Sequence, residues 1–307
     1  MIEVDHLTLQ YPNGRGIRDV TFTVPQGSIV GYLGPNGSGK TTTIRCLLGF
    51  SRADSGRCAI AGLDCSRKAP EIQKLLGYIP GEIAFPDGMS GQQFLNFLSD
   101  LRGSRDRRRM QELAELFEIS LTGRIKKYSK GMKQKVGIIA AFMHDPQVLI
   151  LDEPTSGLDP LMQNRFVELI LQEKQKGKTI LMSSHIFEEI EKSCDEVVII
   201  KEGQIVQNTD IHALRRSQRK VFVLQLEQEQ DAALIRAAGF ETGSFVNGRG
   251  EVFLKEDQTA DFLRTIAPLS VCSMETRSQS LEDVFVDLYS REGEPHESDL
   301  AESRRQA

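Results

Sequence analysis

The sequence has no apolar run long enough to span a bilayer: its longest, from Val136 to Met143, falls far short of the ~18–20 residues a membrane helix needs. Nor does it open on a basic region followed by an apolar core. Met1 leads straight into an acid-bearing segment, so neither a secretory leader nor a span is expected. Cysteine is scarce: Cys46, Cys58, Cys65, Cys194 and Cys272 stand at irregular spacings with no Cys-x-x-Cys pair. That suggests neither a zinc site nor a disulfide framework and fits a reducing cytoplasm. An excess of positive charge is lacking too, since 38 basic residues stand against 43 acidic ones for a net charge of −5. Nucleic-acid binding generally relies on a positive face, so DNA and RNA are not expected as partners. A composition of 39% hydrophobic and 26% charged residues is that of an ordinary globular protein and excludes disordered, collagenous and fibrous classes. At 307 residues, two domains are expected.

The first stretch alternates apolar and polar positions, with Ile2, Val4, Leu7 and Leu9 separated from Val20, Phe22 and Val24 by the turn-forming run Pro12 to Gly16. This pattern predicts an opening antiparallel β layer. Ser28 to Leu33 reads as a short buried strand, followed by a glycine-rich loop and a helix through Ile44, Leu47 and Leu48. From Pro86 to Ile125 the apolar positions (Phe94, Leu95, Phe97, Leu98, Leu101, then Leu113, Leu116, Phe117) fall at helical spacing around an Arg-rich break at 105–109. They predict a helical insert, about 86–135. Acids at Asp106, Glu112 and Glu115 interleave with the arginines, which reads as a solvated helix end or loop rather than a phosphate patch.

Val148 to Leu151, Thr179 to Met182 and Val197 to Ile200 are apolar runs separated by helical segments, as parallel strands joined by crossover helices would be. After about Thr209 the rhythm changes. Strands at Val221–Leu226, Phe245–Val246, Val252–Leu254 and Leu269–Ser273, with helices at Ala232–Ala238 and Asp261–Ala267, give the order βαββαβ, the ferredoxin-like arrangement. The fold class is therefore α/β, with an antiparallel β layer, a mostly parallel core sheet and a helical insert in 1–216. A small α+β domain is expected over 217–290 and a disordered tail over 291–307.

Gly34 to Thr41 reads Gly-Pro-Asn-Gly-Ser-Gly-Lys-Thr and fits G-x-x-x-x-G-K-[ST] between a strand and a helix. In that context backbone N–H groups wrap phosphate oxygens. Gly34, Gly37 and Gly39 allow close approach, Lys40 supplies a point charge for the β and γ phosphates, and the Thr41 hydroxyl is a Mg²⁺ ligand. Downstream, the apolar run Val148 to Leu151 ends in Asp152-Glu153. Asp152 is placed to hold Mg²⁺ through water, and Glu153 to act on the attacking water as general base or orienter.

These motifs are joined by others in a fixed order. Tyr128-Ser129-Lys130-Gly131-Met132-Lys133-Gln134 precedes the acid pair, Ser156-Gly157-Leu158-Asp159 comes after it, and Ser184-His185 ends the next strand. In that order and spacing, residues 1–210 resemble the nucleotide-binding subunit of ABC transporters. Within them the chain looks most like the branch of drug-resistance and bacteriocin-immunity ATPases, whose signature reads Tyr-Ser-Lys-Gly-Met-x-Gln rather than Leu-Ser-Gly-Gly-Gln. Ser280 to Phe285 is also similar to that branch's C-terminal appendage.

The resemblance implies a P-loop ATPase that binds ATP and Mg²⁺, dimerises, and powers a separately encoded membrane permease from the inner face of the cell membrane, with export as the direction. It places Tyr11 on the adenine, where a flat π face suffices, and Asn36, Ser38 and Thr42 in the phosphate loop beside the residues above. Ser129, Gly131 and Met132 then meet the γ-phosphate held by a second copy, Asp159 crosses the dimer interface, and His185 is the γ-phosphate switch. His6, His144, His212 and His296 have no such context, and the Met and Phe scatter reads as core.

One departure stands out. Where the family places a metal-ligating Gln after an apolar-Pro pair, this chain reads Ile79-Pro80-Gly81-Glu82. A glycine has no side chain to ligate with, and Glu82 is expected to take the role; the other reading leaves it in solvent. Met132 in place of the usual signature Gln is the second departure. Two rival functions stand against the transporter subunit. A soluble ABC ATPase acting on ribosomes or DNA would generally carry paired cassettes or a long coiled-coil insert, neither of which is visible. A regulatory module that binds ATP without hydrolysis is opposed by the presence of both Glu153 and His185.

Overall fold

The computed structural model describes residues 1–103, 106–216, 220–228, 230–254 and 258–278, the side chains of His212, Arg215, Arg216 and Ser278 excepted. Ser280 to Phe285 and the tail expected over 291–307 lie outside these residues. The chain divides into two units, Met1–Ile211 and His212–Ala307.

In the first unit, β1 (Ile2–Gln10) pairs with β2 (Gly16–Val24) across the predicted turn. The buried face of β1 changes phase, from Ile2 and Val4 to Leu7 and Leu9, because the register slips between Val4 and Leu7. His6 takes up the extra residue in a left-handed conformation at φ 49°, a β-bulge that returns apolar side chains to the core. The chain then enters β3 (Ile29–Leu33) and helix α1 (Lys40–Leu47). Strands β4 (Ser55–Ile60) and β5 (Leu63–Asp64) complete an antiparallel sheet of order β2-β1-β4-β5.

After α2 (Ala69–Leu75) and β6 (Leu76–Ile79) come α3 (Gly91–Leu101), α4 (Arg108–Leu116) and α5 (Lys130–Phe142). Ser90 starts α3 with a complete capping box, exchanging hydrogen bonds with Gln93. The third helix runs to Phe142, past the insert's expected end at 135, because Val136, Ile138, Ile139 and Phe142 are all buried. Not every apolar side chain of this region is core. Phe97 and Leu101 on α3 are 45% and 69% exposed, and Phe50 after α1 is 60% exposed, which corrects the reading of the Phe scatter. The Arg-rich break is held by acids, as expected: Arg108 pairs with Asp106 at 2.7 Å, and Arg109 reaches the buried Glu173 at 2.7 Å.

The chain continues through β7 (Val148–Asp152), α6 (Pro160–Gln175), β8 (Thr179–Ser184), α7 (Phe187–Ser193), β9 (Glu196–Lys201) and β10 (Gln204–Asp210), and passes into the second unit along α8 (Ile211–Arg216). The main sheet has the order β10-β9-β3-β8-β7-β6 and is parallel except for the edge strand β10. Every residue of β3, β7 and β8 is buried, which is why they read as continuous apolar runs. Strand register sets the level of their ends. Leu33 pairs with Ser184 and Asp152 with Ser183, so the three strands finish side by side, where open α/β sheets bind ligands.

In the second unit, β11 (Lys220–Leu226), α9 (Asp231–Ala237), β12 (Glu241–Thr242), β13 (Arg249–Leu254), α10 (Thr259–Ile266) and β14 (Val271–Ser278) form an antiparallel sheet of order β12-β13-β11-β14. Phe222, Leu224, Ile235, Val252 and Phe262 share its core. The second strand lies at 241–242 rather than at Phe245–Val246. Phe245 instead turns into the core, and Val246 makes only an isolated bridge to Arg249.

Candidate functional site

The loop between β3 and α1 is shaped by its glycines. Gly37 and Gly39 sit at φ 84° and 113°, outside the range favoured by side-chain-bearing residues. Gly34 lies so close to Ile200 that a Cβ would come within 2.5 Å of its carbonyl oxygen. Lys40 is almost fully buried, and its ammonium donates to the carbonyls of Gly34 (2.6 Å) and Pro35 (3.2 Å). Burial pushes its pKa down, while the charges of Glu153 and Asp152 push back up. Ser38 Oγ is buried and has no hydrogen-bond partner among the described residues. A buried hydroxyl normally finds a partner, and a phosphate oxygen would supply one. Tyr11, Asn36, Gly37, Gly39, Lys40, Thr41, Thr42 and Glu153 line one cleft of about 320 Å³. The structure thus gathers the phosphate loop and Tyr11, which is 37% exposed, around one space.

At the end of β7, Asp152 is 2% exposed. Its Oδ1 accepts from Ser183 Oγ and its Oδ2 from Thr41 Oγ1 at 3.0 Å. Glu153 comes next at φ 48°, a left-handed conformation that persists only where the surroundings hold it. They do. Its N–H donates to Ser183 O and Oγ, both at 3.2 Å, while Gln134 Nε2 donates to the carbonyls of Glu153 (3.4 Å) and Pro154 (2.7 Å). The Glu153 carboxylate is thereby aimed between two side chains: Oε1 lies 3.2 Å from His185 Nδ1 and 3.9 Å from Lys40 Nζ. Because β8 lies between β3 and β7, His185 at its end stands beside both the loop and the acid pair.

A second cleft, about 910 Å³, joins Thr41, Asp152 and Glu153 to Gly81, Glu82 and Lys130. Gly81 backs directly onto the acid, since a Cβ there would be 3.3 Å from Asp152 Oδ2. Glu82 is exposed at the same cleft. Of the residues that the sequence motifs single out, Gly34, Ser38, Ser129, Gly131, Met132, Asp159 and His185 line neither cleft. Ser129 caps α5, accepting from Met132 N at 3.2 Å, and Asp159 caps α6, accepting from Met162 N at 3.0 Å. Their two segments touch, because a Cβ on Gly131 would come within 2.5 Å of Gly157 O. Ser183 is a site residue that the motifs do not single out, and Gln134 stands in the signature motif without a role assigned to it. Ser183 meets Asp152 only through strand pairing, which one sequence does not reveal, whereas Gln134 carries a signal, being a polar residue set in the apolar periodicity of α5.

Known proteins resemble this chain in sequence and fold. The ABC transporter family matches residues 17–156, and the AAA domain described as a putative AbiEii toxin of type IV TA systems matches 124–191. The bacitracin transport ATP-binding protein BcrA of Bacillus licheniformis is 32% identical over 296 residues, covering 94% of this chain and 97% of that protein. An ABC transporter ATP-binding protein of Bacillus subtilis, YxlF, is 32% identical over 94% of this chain and 99% of its own length. The linearmycin resistance ATP-binding protein LnrL of Bacillus subtilis is 33% identical over 67% of this chain and 68% of its own. Among solved structures, an ATP-binding subunit of an ABC transporter superposes with a TM-score of 0.66 at 32% identity, covering 70% of this chain and 92% of that one. The dimeric cassette MJ0796 shares the fold at a TM-score of 0.63 and 19% identity, covering 69% and 99%.

Proposed function

Since this chain belongs to the ATP-binding subunits of ABC transporters, a family of ATPases, we propose that two copies close on two ATP and drive a separately encoded membrane permease. The observation that carries the reading is the Glu153 carboxylate held between Lys40 and His185 at the ends of adjacent parallel strands. In it, Lys40 and the loop N–H groups hold the β and γ phosphates, Tyr11 stacks on adenine, and Glu153 takes a proton from the attacking water while His185 contacts the γ-phosphate. Ser129, Gly131 and Met132 meet the nucleotide of the second copy, and Asp159 lies at the interface.

Mg²⁺ fits the hard oxygen donors gathered here. Thr41 Oγ1 and Asp152 Oδ2 lie 3.0 Å apart, and magnesium is usually held by one or two carboxylates together with substrate phosphates. Bound there, it supplies charge neutralisation on the phosphates. Glu82 takes the place of the absent Gln, from the same cleft. Glu82→Ala should then raise the Mg²⁺ concentration for half-maximal hydrolysis about five- to ten-fold, about 1 kcal/mol, and leave metal-free nucleotide binding unchanged. Coinciding metal titrations of the two proteins, with permease present, would leave Glu82 in solvent.

Export is the proposed direction, supported by relatives named for bacitracin transport and linearmycin resistance. The protein works in the cytoplasm against the inner face of the membrane, and among the described residues no helix is long and apolar enough to cross it. The segment 217–290 adds contacts between protomers or tunes hydrolysis. Among its described residues there is no glycine loop and no acid pair after a buried strand. A chain ending before Ser217 should therefore still bind ATP, and a folded truncation without binding would extend the nucleotide site into that segment. The membrane protein that co-purifies with the intact chain identifies the permease.

A further inference from the structure

A second buried acid lies behind the site and takes no part in the roles above. Glu189, on the first turn of α7, is 9% exposed and forms no ion pair among the described residues. Its two carboxylate oxygens are each taken by a hydroxyl: Oε1 accepts from Thr155 Oγ1 at 2.5 Å and Oε2 from Ser184 Oγ at 2.8 Å. Thr155 is two residues past Glu153, and Ser184 immediately precedes His185. The same Ser184 hydroxyl accepts from Ile186 N at 2.9 Å, closing the backbone around His185. A buried carboxylate without a cation carries a desolvation cost, and an apolar side chain would fill the position without it. What it gains is registry between two loops. One leaves β7 carrying Glu153, the other leaves β8 carrying His185, and Glu189 ties them together from behind.

We propose that Glu189 is a positioning residue that sets the 3.2 Å separation of Glu153 and His185 through Thr155 and Ser184. This rests on the reading of those two residues as the hydrolytic pair. Glu189 lines neither cleft, so its loss should act on turnover rather than on binding. A displacement of about 1 Å at a reacting group can cost ~10²-fold, and a partial loosening should cost less.

The test compares Glu189→Gln with the parent protein, each with His185 intact and with His185→Ala. The expected result is a kcat about ten-fold lower for Glu189→Gln with KM for ATP within two-fold, and no further loss when the same change is made in His185→Ala. If Glu189→Gln does not fold, Thr155→Val removes one of the two hydrogen bonds at nearly constant volume and is read in the same cycle. An unchanged kcat, or an equal loss with and without His185, would overturn the proposal and leave Glu189 a structural acid. Normal turnover by His185→Ala alone would instead remove the hydrolytic pair on which the proposal stands.

Discussion

Glu153→Gln should bind ATP as the parent does and hydrolyse it more slowly by roughly two to four orders of magnitude, the contribution of a positioned general base. The structure argues for so large an effect because the residue is held at some cost. A glutamate at φ 48° is strained, yet its N–H donates to Ser183 and its carbonyl accepts from Gln134, which also holds the Pro154 carbonyl, and its carboxylate faces His185 and Lys40. Gln keeps the shape and loses the basicity, so only the step that moves a proton should suffer. Phosphate release measured beside equilibrium nucleotide binding checks this, and parental turnover in the variant would remove Glu153 from the mechanism.

Lys40→Met should act on the other side of the balance, weakening ATP binding about 10- to 150-fold. That range comes from ~1.5–3 kcal/mol for hydrogen bonds made by a charged group. Lys40 is 5% exposed, and its ammonium rests on the carbonyls of Gly34 and Pro35 within the loop. Phosphate oxygens would be stronger acceptors for the same protons. Methionine preserves the buried stem and removes only the charge, which separates phosphate binding from packing. Titration with a fluorescent ATP analogue gives the constant, and an affinity within two-fold of the parent would mean that the loop N–H groups alone carry the phosphates.

The parts of this site that can be read from the sequence are those whose chemistry is local. The phosphate loop announces itself by glycines at fixed offsets before Lys40 and Thr41. The buried strands β3, β7 and β8 announce themselves as uninterrupted apolar runs, since a strand covered on both faces has no polar side to show. What cannot be read depends on contacts between segments far apart in the chain. Asp152 reaches Ser183 only because β7 and β8 lie in register. Glu189 reaches Thr155 and Ser184 only because α7 folds back over both loops. Val246 fails as a strand for a related reason. The apolar pair Phe245-Val246 fits a strand locally, but Phe245 is consumed by the core of the second unit, and pairing falls to Glu241 and Thr242 instead. Phe97 and Leu101 show the converse, large apolar side chains at helical spacing that the fold leaves largely exposed.

Sedimentation of Glu153→Gln with and without ATP asks directly whether two copies close on two nucleotides. With hydrolysis suppressed, the expected species are a monomer without nucleotide, a dimer with ATP, and a return to monomer with ADP or when Ser129 in the signature loop is replaced by a bulky residue. A variant that binds ATP and stays monomeric at every protein concentration would contradict closure around two nucleotides.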